Sequence, residues 1–302
     1  MAQLSSVQRN AALRPPRARR FSVALRQLGR SPVGTVGAIV VAAVILAAIF
    51  APWIAPHDPT RLQLGRRFLP PVWLEKGLWS YPLGTDQLGR DVFSRLLYGS
   101  RISVIVGVTA SIIAGFLGVL IGLVAGFYGG WIDSLLSRVI DTFLAIPFIV
   151  LALAVVTVIG SGLVNLIIVL SVTGWVTYAR VVRGEVLSVK QRDYILAAEV
   201  LGLRPFIVAL RHVMPNVGAS VIVLTTLNVG TTIIAETSLS FLGLGVDSRT
   251  VTWGTMLADG REHVATSWWL ATFPGVAITI TVLGIIFLGD WLRDVLDPKM
   301  KE

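Results

Sequence analysis

The feature that most constrains this 302-residue chain is a series of six long apolar runs. A helix needs about 20 apolar residues to cross the hydrocarbon core of a bilayer, and these runs approach or exceed that length. Backbone groups in lipid must be hydrogen-bonded internally, and the runs are too long for barrel strands, so all six are predicted to be helices. The sequence therefore predicts an all-α membrane protein with six transmembrane helices. The expected spans are residues 33–54, 101–127, 139–159, 163–180, 217–242 and 269–290.

The distribution of basic residues orients these helices. Residues 1–32 contain seven arginines and no acidic residue, which is typical of a cytoplasmic segment under the positive-inside rule. Six spans place both termini on one side, so we expect both in the cytoplasm, an external loop at 55–100 and a cytoplasmic loop at 181–216. Within the basic tail, Phe21–Arg30 mixes apolar and basic residues and is a candidate interfacial helix. A mitochondrial-type transit peptide is the alternative interpretation of the tail.

The chain lacks the residues that several classes of function would need. The chain has no cysteine and three widely separated histidines, and none of its four lysines lies in a glycine-rich phosphate loop. We therefore predict no metal site, no cofactor and no ATPase motif in this chain. Because 54% of the sequence is hydrophobic, the net charge of +9 indicates membrane orientation rather than nucleic-acid binding.

Small residues recur at every fourth position of the second span. This spacing places them on one helix face, where they allow another helix to approach closely. The pattern predicts a tightly packed bundle and says nothing about substrate. The residues are Ala110, Ala114, Gly118, Gly122 and Gly126.

Glu236 is an ionisable residue late in the fifth predicted span. A carboxylate at membrane depth usually faces the interior of a bundle or an aqueous cavity. One hypothesis places Glu236 on the translocation pathway. The alternative is a structural salt bridge near the outer interface, with Arg101 or Arg261 as the partner.

The charged stretch 180–216 is too long for a simple turn, and two short helices fit it. The first would run from about Gly184 to Leu201, with Gly202 supplying a permissive turn. Pro205 suits the first turn of the second helix, and Pro215 would mark the entry to the next span. An amphipathic hairpin of this kind on the cytoplasmic face is a docking shape that can transmit a rigid-body push from a partner.

The spacing of Ala197-Ala198, Gly202 and Met214-Pro215 resembles the cytoplasmic EAA loop of ABC-importer permeases. In that loop E-A-A is followed after three residues by glycine and after nine more by I-x-L-P. The departures are Leu196 for the glutamate, His212 for the isoleucine and Met214 for the leucine. From about residue 30 onward, other segments resemble the C-type subunit of dipeptide and oligopeptide permeases: 82–103, 125–133, 236–246, 253–261 and 289–298.

The resemblance implies a type I importer permease fold for residues 33–302. This chain would pair with a homologous second permease, two ATPase subunits would dock below, and an extracytoplasmic binding protein would deliver peptide. ATP and Mg²⁺ would bind to the ATPase subunits, making this chain a non-catalytic, multi-pass subunit of the bacterial inner membrane. The residues expected in the ATPase-docking loop are Asp193, Leu196, Ala197, Ala198, Glu199, Gly202 and Pro215.

Three alternatives stay open. Importers of the same type carry nickel complexes, glutathione or other small ligands. A proton-coupled secondary transporter would need several paired intramembrane carboxylates or histidines, and often an internal repeat. A membrane-embedded enzyme would need a converging nucleophile or metal set.

Overall fold

The computed structural model describes residues 28–29, 31–247 and 250–296, and within them the chain is helical with no β-strand. Most of the basic tail 1–32, including nearly all of the candidate helix Phe21–Arg30, lies outside the described residues. Five helices are long and apolar enough to cross a membrane, and a bent pair supplies a sixth crossing if it counts as one span. The helices are α1 (Pro32–Ile54), α2 (Val92–Tyr128), α3 (Gly130–Ala145), α4 (Phe148–Ile159), α5 (Leu163–Lys190), α6 (Asp193–Val200), α7 (Pro205–Val208), α8 (Met214–Phe241), α9 (Trp253–Gly260) and α10 (Trp269–Leu296).

Polar caps set where the first long helices begin. The Ser31 hydroxyl accepts a hydrogen bond from the Gly34 N–H at 3.2 Å, ahead of a proline in the first turn of α1, a favoured arrangement at a helix start. The Asp91 carboxylate accepts bonds from the N–H groups of Phe93 and Ser94 at 3.3 and 3.1 Å. Because of this cap, α2 begins well before the expected start of the second span at residue 101.

The stripe of small residues on α2 packs against α5, as the spacing predicted. An added Cβ at Gly118, Gly122 or Gly126 would lie 2.3, 2.6 or 2.9 Å from a backbone oxygen of α5. The three oxygens belong to Trp175, Ala179 and Arg183, which are themselves four residues apart. One glycine ridge therefore fits against one ridge of the neighbouring helix at backbone distance.

The third apolar stretch differs from the single span expected at 139–159. Helices α3 and α4 meet at Ile146 and Pro147 with a bend of 94°. Ile146 is extended, with φ −88° and ψ 124°, because the ring of a following proline disfavours the helical region. The stretch is therefore a broken span or a re-entrant segment.

A network of four charged residues fixes the segment before α2 to α9. The Asp86 carboxylate accepts from Arg90 Nε at 2.6 Å and also pairs with Arg95. The Asp259 carboxylate on α9 accepts from Arg90 and Arg95 at 3.0 and 3.1 Å. The side chains of Asp86 and Arg95 are both 4% exposed, so each charge depends on its partners. Two segments far apart in sequence are thereby joined into one unit.

Candidate functional site

The loop between α6 and α7 has the geometry of a fixed helix end. The Leu203 N–H donates to the Ala198 carbonyl at 3.2 Å, and the Gly202 N–H donates to the Glu199 carbonyl at 2.9 Å. This pair of bonds is the Schellman arrangement, which needs a left-handed residue after the helix. Gly202 supplies it with φ +77°, as the sequence predicted for a permissive turn.

The inner face of α6 attaches the turn to the bundle. Ile195 and Ala198 are 0% and 6% exposed. They share an apolar cluster with Val119 of α2, Val186 of α5 and Val208 of α7. The direction in which α6 projects is therefore set by the packed pair α2 and α5.

The expected docking residues divide between the two faces of this hairpin. Ala198 is buried, whereas the others are exposed: Asp193, Leu196, Ala197 and Glu199 on α6, Gly202 at the turn and Pro215 at the start of α8. The first arm is shorter than expected, because α5 runs on to Lys190 and a new helix begins at Asp193. This break turns the inner side chains of α6 onto the core.

The second arm is continuous with the following span instead of being a separate short helix. The chain is helical from Pro205 to Phe241, and a π-helical turn at Ala209–Val213 lies within it. Pro215, which was expected to mark an entry point, lies just after this wider turn and lacks an N–H to donate. The π turn changes the hydrogen-bond register next to Pro215, so the helix continues past a residue that has no N–H.

The tip of the hairpin carries an apolar surface that the resemblance to the EAA loop did not predict. Val200, Leu201 and Phe206 are 87%, 81% and 63% exposed. An exposed cluster of large apolar side chains marks an interaction surface. The signal in the sequence is the run V-L-G-L around Gly202, which lacks a polar residue at the outermost point of a charged loop.

Charged contacts hold the base of the hairpin in place. Arg183 of α5 forms a two-pronged ion pair with Asp133 of α3, at 2.5 and 2.8 Å. The Lys190 ammonium donates to the Phe127 carbonyl at 2.8 Å and lies 5.3 Å from the centre of its ring. The end of α5 is therefore tied to both α2 and α3.

Glu236 lies inside the chain, at the junction of three helices. Its side chain is fully buried and accepts hydrogen bonds from Ser240 at 2.7 Å and from Ser103 of α2 at 3.4 Å. The Trp253 N–H, at the start of α9, donates to the same Ser103 hydroxyl. Among the described residues no ion pair joins Glu236 to an arginine, so its partners are hydroxyl groups and not Arg101 or Arg261.

A separate groove lies between the broken helix pair, α5 and α8. Its volume is about 560 Å³, and Glu236 is not part of its lining. Lining residues of α8 recur along one helix face at intervals of three to four, at Asn228, Thr231, Ala235 and Ser238, and two threonines of α5 also line the groove. No charged side chain lines the groove within the described part of the chain. The polar lining residues are Thr173, Thr177, Asn228, Thr231, Thr232 and Ser238.

Asn228 is held in a fixed orientation at this groove. Its Oδ1 accepts hydrogen bonds from Ser111 of α2 at 3.3 Å and from Thr232 at 3.0 Å. These two bonds occupy the amide oxygen and fix the orientation of the side chain. The groove therefore presents neutral hydrogen-bond donors and acceptors on an otherwise apolar wall.

The family follows from two comparisons. A family model described as the inner membrane component of binding-protein-dependent transport systems matches residues 118–302. The di/tripeptide transport system permease of Pseudomonas aeruginosa is 40% identical over 86% of both chains. This chain belongs to that family of inner membrane components. A second model, the N-terminal transmembrane domain of oligopeptide transport permease C, matches residues 20–71 of the permease.

Further relatives agree with this assignment, and a solved structure shares the fold. The oligopeptide transport permease of Bacillus subtilis is 38% identical over 92% of this permease and 90% of its own length. A glutathione transport permease of Escherichia coli is 42% identical over 91% and 89%. The inward-facing MetNI methionine ABC transporter superposes with a TM-score of 0.52 and 21% identity, covering 68% of this chain and 97% of that one. The fold is that of a type I importer permease, as predicted, and the protein is a multi-pass protein of the inner membrane.

Proposed function

We propose that this chain is the membrane-spanning subunit of an ATP-driven importer that carries dipeptides or oligopeptides. The observation that carries the proposal is the rigid hairpin at Asp193–Val208, which presents an exposed apolar tip on a buried base. A transport subunit without catalytic residues needs such a surface to receive motion from a motor. The relatives named for di/tripeptide and oligopeptide transport support the peptide substrate.

The assembly that we propose has four kinds of partner. A homologous second permease completes the pathway, two ATPase subunits bind and hydrolyse ATP with Mg²⁺, and an extracytoplasmic binding protein delivers the peptide. Both termini and the loop 181–216 lie in the cytoplasm, and the segment 55–100 lies outside. Labelling of a single cysteine introduced at Pro70 from only the cytoplasmic side would contradict this topology, and the cysteine-free chain makes the test direct.

The docking contact with the ATPase is apolar at its centre. Leu196 cannot make the charge pair of the family's glutamate, so its side chain, 48% exposed, fills an apolar hollow on the partner. Asp193 and Glu199 lie three residues to either side and reach basic groups at the rim. Val200 and Leu201 extend the apolar contact to the tip, where large apolar side chains contribute most to protein association.

The groove between α5 and α8 is this chain's share of the translocation pathway. A peptide presents backbone N–H and C=O groups whatever its side chains, and the neutral lining offers matching partners. The absence of fixed charge from the lining suits a pathway that admits peptides of differing charge. Glu236 acts as a positioning residue, because it holds α9 against α2 and α8 behind the groove wall.

Glutathione is a second candidate substrate, because a relative named for glutathione transport is as similar as those named for peptides. Glutathione is itself a tripeptide, so the same neutral groove accommodates its backbone. Uptake of labelled dipeptide, pentapeptide and glutathione by proteoliposomes of the complete complex distinguishes the two. Transport of none of them would overturn the peptide assignment.

The docking proposal is tested by matched aspartate substitutions. Leu201→Asp places a charge at the tip, and Leu64→Asp places the same charge on a similarly exposed leucine of the segment 55–100, with exposures of 81% and 65%. We expect Leu201→Asp to weaken ATPase association at least tenfold and to abolish peptide-stimulated hydrolysis, while Leu64→Asp leaves both unchanged. Glu199→Lys should likewise have a larger effect than Glu185→Lys. If neither Leu201→Asp nor Glu199→Lys alters association, the hairpin is not the docking element.

A further inference from the structure

A compact loop with exposed tryptophans precedes the motif at the start of α2. The Val72 N–H donates to the Pro82 carbonyl at 3.2 Å and closes the loop, and three internal turns fold it further. We call residues 71–82 the tryptophan loop. Its surface carries four large apolar side chains within seven residues: Trp73, Leu74, Leu78 and Trp79, which are 57%, 39%, 41% and 86% exposed.

The loop rests on the first turn of the last span. The Trp73 ring lies 6.1 Å from the Phe273 ring at an interplanar angle of 85°, and the Trp268 ring lies 5.9 Å from the same ring. Phe273 heads a row of outward-facing apolar side chains that runs down α10 at intervals of three to four. The row continues with Val276, Ile280 and Leu283, which are 47%, 48% and 45% exposed.

The end of α1 lies at the same level of the bundle. Gly34 packs on Trp291 and Gly284 packs on Val40, so α1 and α10 run antiparallel and the end of α1 lies beside the start of α10. Trp53, in the last turn of α1, is 76% exposed. The exposed tryptophans of the loop therefore share a level with further tryptophans at the ends of two spans.

We propose that the tryptophan loop lies within the headgroup region of the bilayer at this end of the bundle, with the Trp79 ring at the boundary of the acyl chains. Tryptophan favours this boundary because its ring is apolar and its N–H can bond to headgroups or water. The loop continues the outward row of α10 without a gap, which favours lipid over a protein partner as its occupant. Glu75 and Lys76, both exposed between the apolar positions, are placed to meet the charged headgroups.

Spin labels on single cysteines test the depth of the loop. The chain has no cysteine, so Trp79→Cys and Leu78→Cys report on the loop, and Leu64→Cys on an exposed turn of the same segment serves as the control. Each variant is reconstituted in nanodiscs of phosphatidylcholine and phosphatidylglycerol, and collision with oxygen is compared with collision with a water-soluble nickel chelate. We expect the ratio of oxygen to nickel collision to be at least threefold higher at 78 and 79 than at 64.

Two results would overturn the proposal. Equal collision ratios at 64, 78 and 79 would place the loop in water. Loss of collision with both reagents at 78 and 79, seen only when the second permease or the binding protein is added, would show that protein covers the loop. The two loop labels guard against a local effect of either substitution, and neither depends on transport activity.

Discussion

Because α2 packs closely on α5, an added methyl group should lower the stability of the permease at one glycine and leave it unchanged or raise it at another. Gly118→Ala adds a methyl group that would lie 2.3 Å from the Trp175 carbonyl oxygen, whereas Gly184→Ala adds one with no heavy atom within 4 Å. Both glycines lie inside long helices, so both variants gain about 0.5–1 kcal/mol of helix propensity. Only Gly118→Ala also has the cost of overpacking, about 1–3 kcal/mol.

The two variants should therefore differ by about 1–3 kcal/mol in stability, since the propensity gain is common to both. The upper part of this range is expected, because the obstructing atom belongs to a backbone and cannot rotate away. Gly122→Ala and Gly126→Ala should follow in order, as their added carbons would lie 2.6 and 2.9 Å from backbone oxygens.

The measurement is the apparent melting temperature of the purified permease in one detergent at one scan rate, because membrane proteins often unfold irreversibly. We expect the melting temperature of Gly184→Ala to be at or above that of wild type. The melting temperatures of the α2 variants should lie below that of Gly184→Ala and should fall in the order Gly126→Ala, Gly122→Ala, Gly118→Ala. A Gly118→Ala variant as stable as Gly184→Ala would refute the close approach. A reversed order along α2 would refute the geometry of the crossing.

Three further predictions follow from other parts of the chain. Gly202→Val should uncouple ATP hydrolysis from transport more than Gly202→Asn does. A β-branched residue at φ +77° is strained by about 1–2 kcal/mol, whereas asparagine tolerates that region. Equal ratios of peptide transported to ATP hydrolysed in the two variants would argue against backbone strain. Arg95→Met should lower the melting temperature markedly, since it breaks a buried pair with Asp86 and a pair with the partly exposed Asp259 at a cost of about 3 kcal/mol; an unchanged melting temperature would mean that the network adds no stability. Glu236→Gln keeps an oxygen acceptor for Ser240 but replaces the oxygen that accepts from Ser103 by an NH₂ group, so α9 should be held less firmly and peptide uptake should fall while assembly persists; wild-type uptake would show that transport does not need this second bond.

Features encoded by local spacing were predictable from the sequence. The four-residue interval of small side chains indicated the helix crossing of α2, since the interval itself places them on one face. The position of Gly202 indicated a left-handed turn, because few other residues adopt that conformation without strain. In both cases the structural cause lies within a few residues of the signal.

Features that depend on distant partners were not predictable. Asp86 and Asp259 are more than 170 residues apart, and no local pattern indicates that the same two arginines lie between them. The short helix α9 was not predicted either: a local capping box of Thr252 and Thr255 begins it, but the pairs of Asp259 with Arg90 and Arg95 that fix it are distant in sequence. The break at Pro147 had a local signal, but the apolar residues on both sides read as one uninterrupted span.

The helix that begins at Pro205 and ends at Phe241 has a mechanical consequence. At about 1.5 Å per residue, Asn228 in the groove lies about 27 Å along the axis from Leu210 beside the hairpin tip. If this helix moves as a rod, it is a lever arm with the proposed docking surface at one end and the groove wall along the other half. A tilt of about 10° about the hairpin end would displace Asn228 by about 5 Å, roughly the rise of one helical turn. A small rotation of the proposed ATPase partner would thus open the groove by about the size of a side chain, and the helix between the hairpin and the groove would not need to bend.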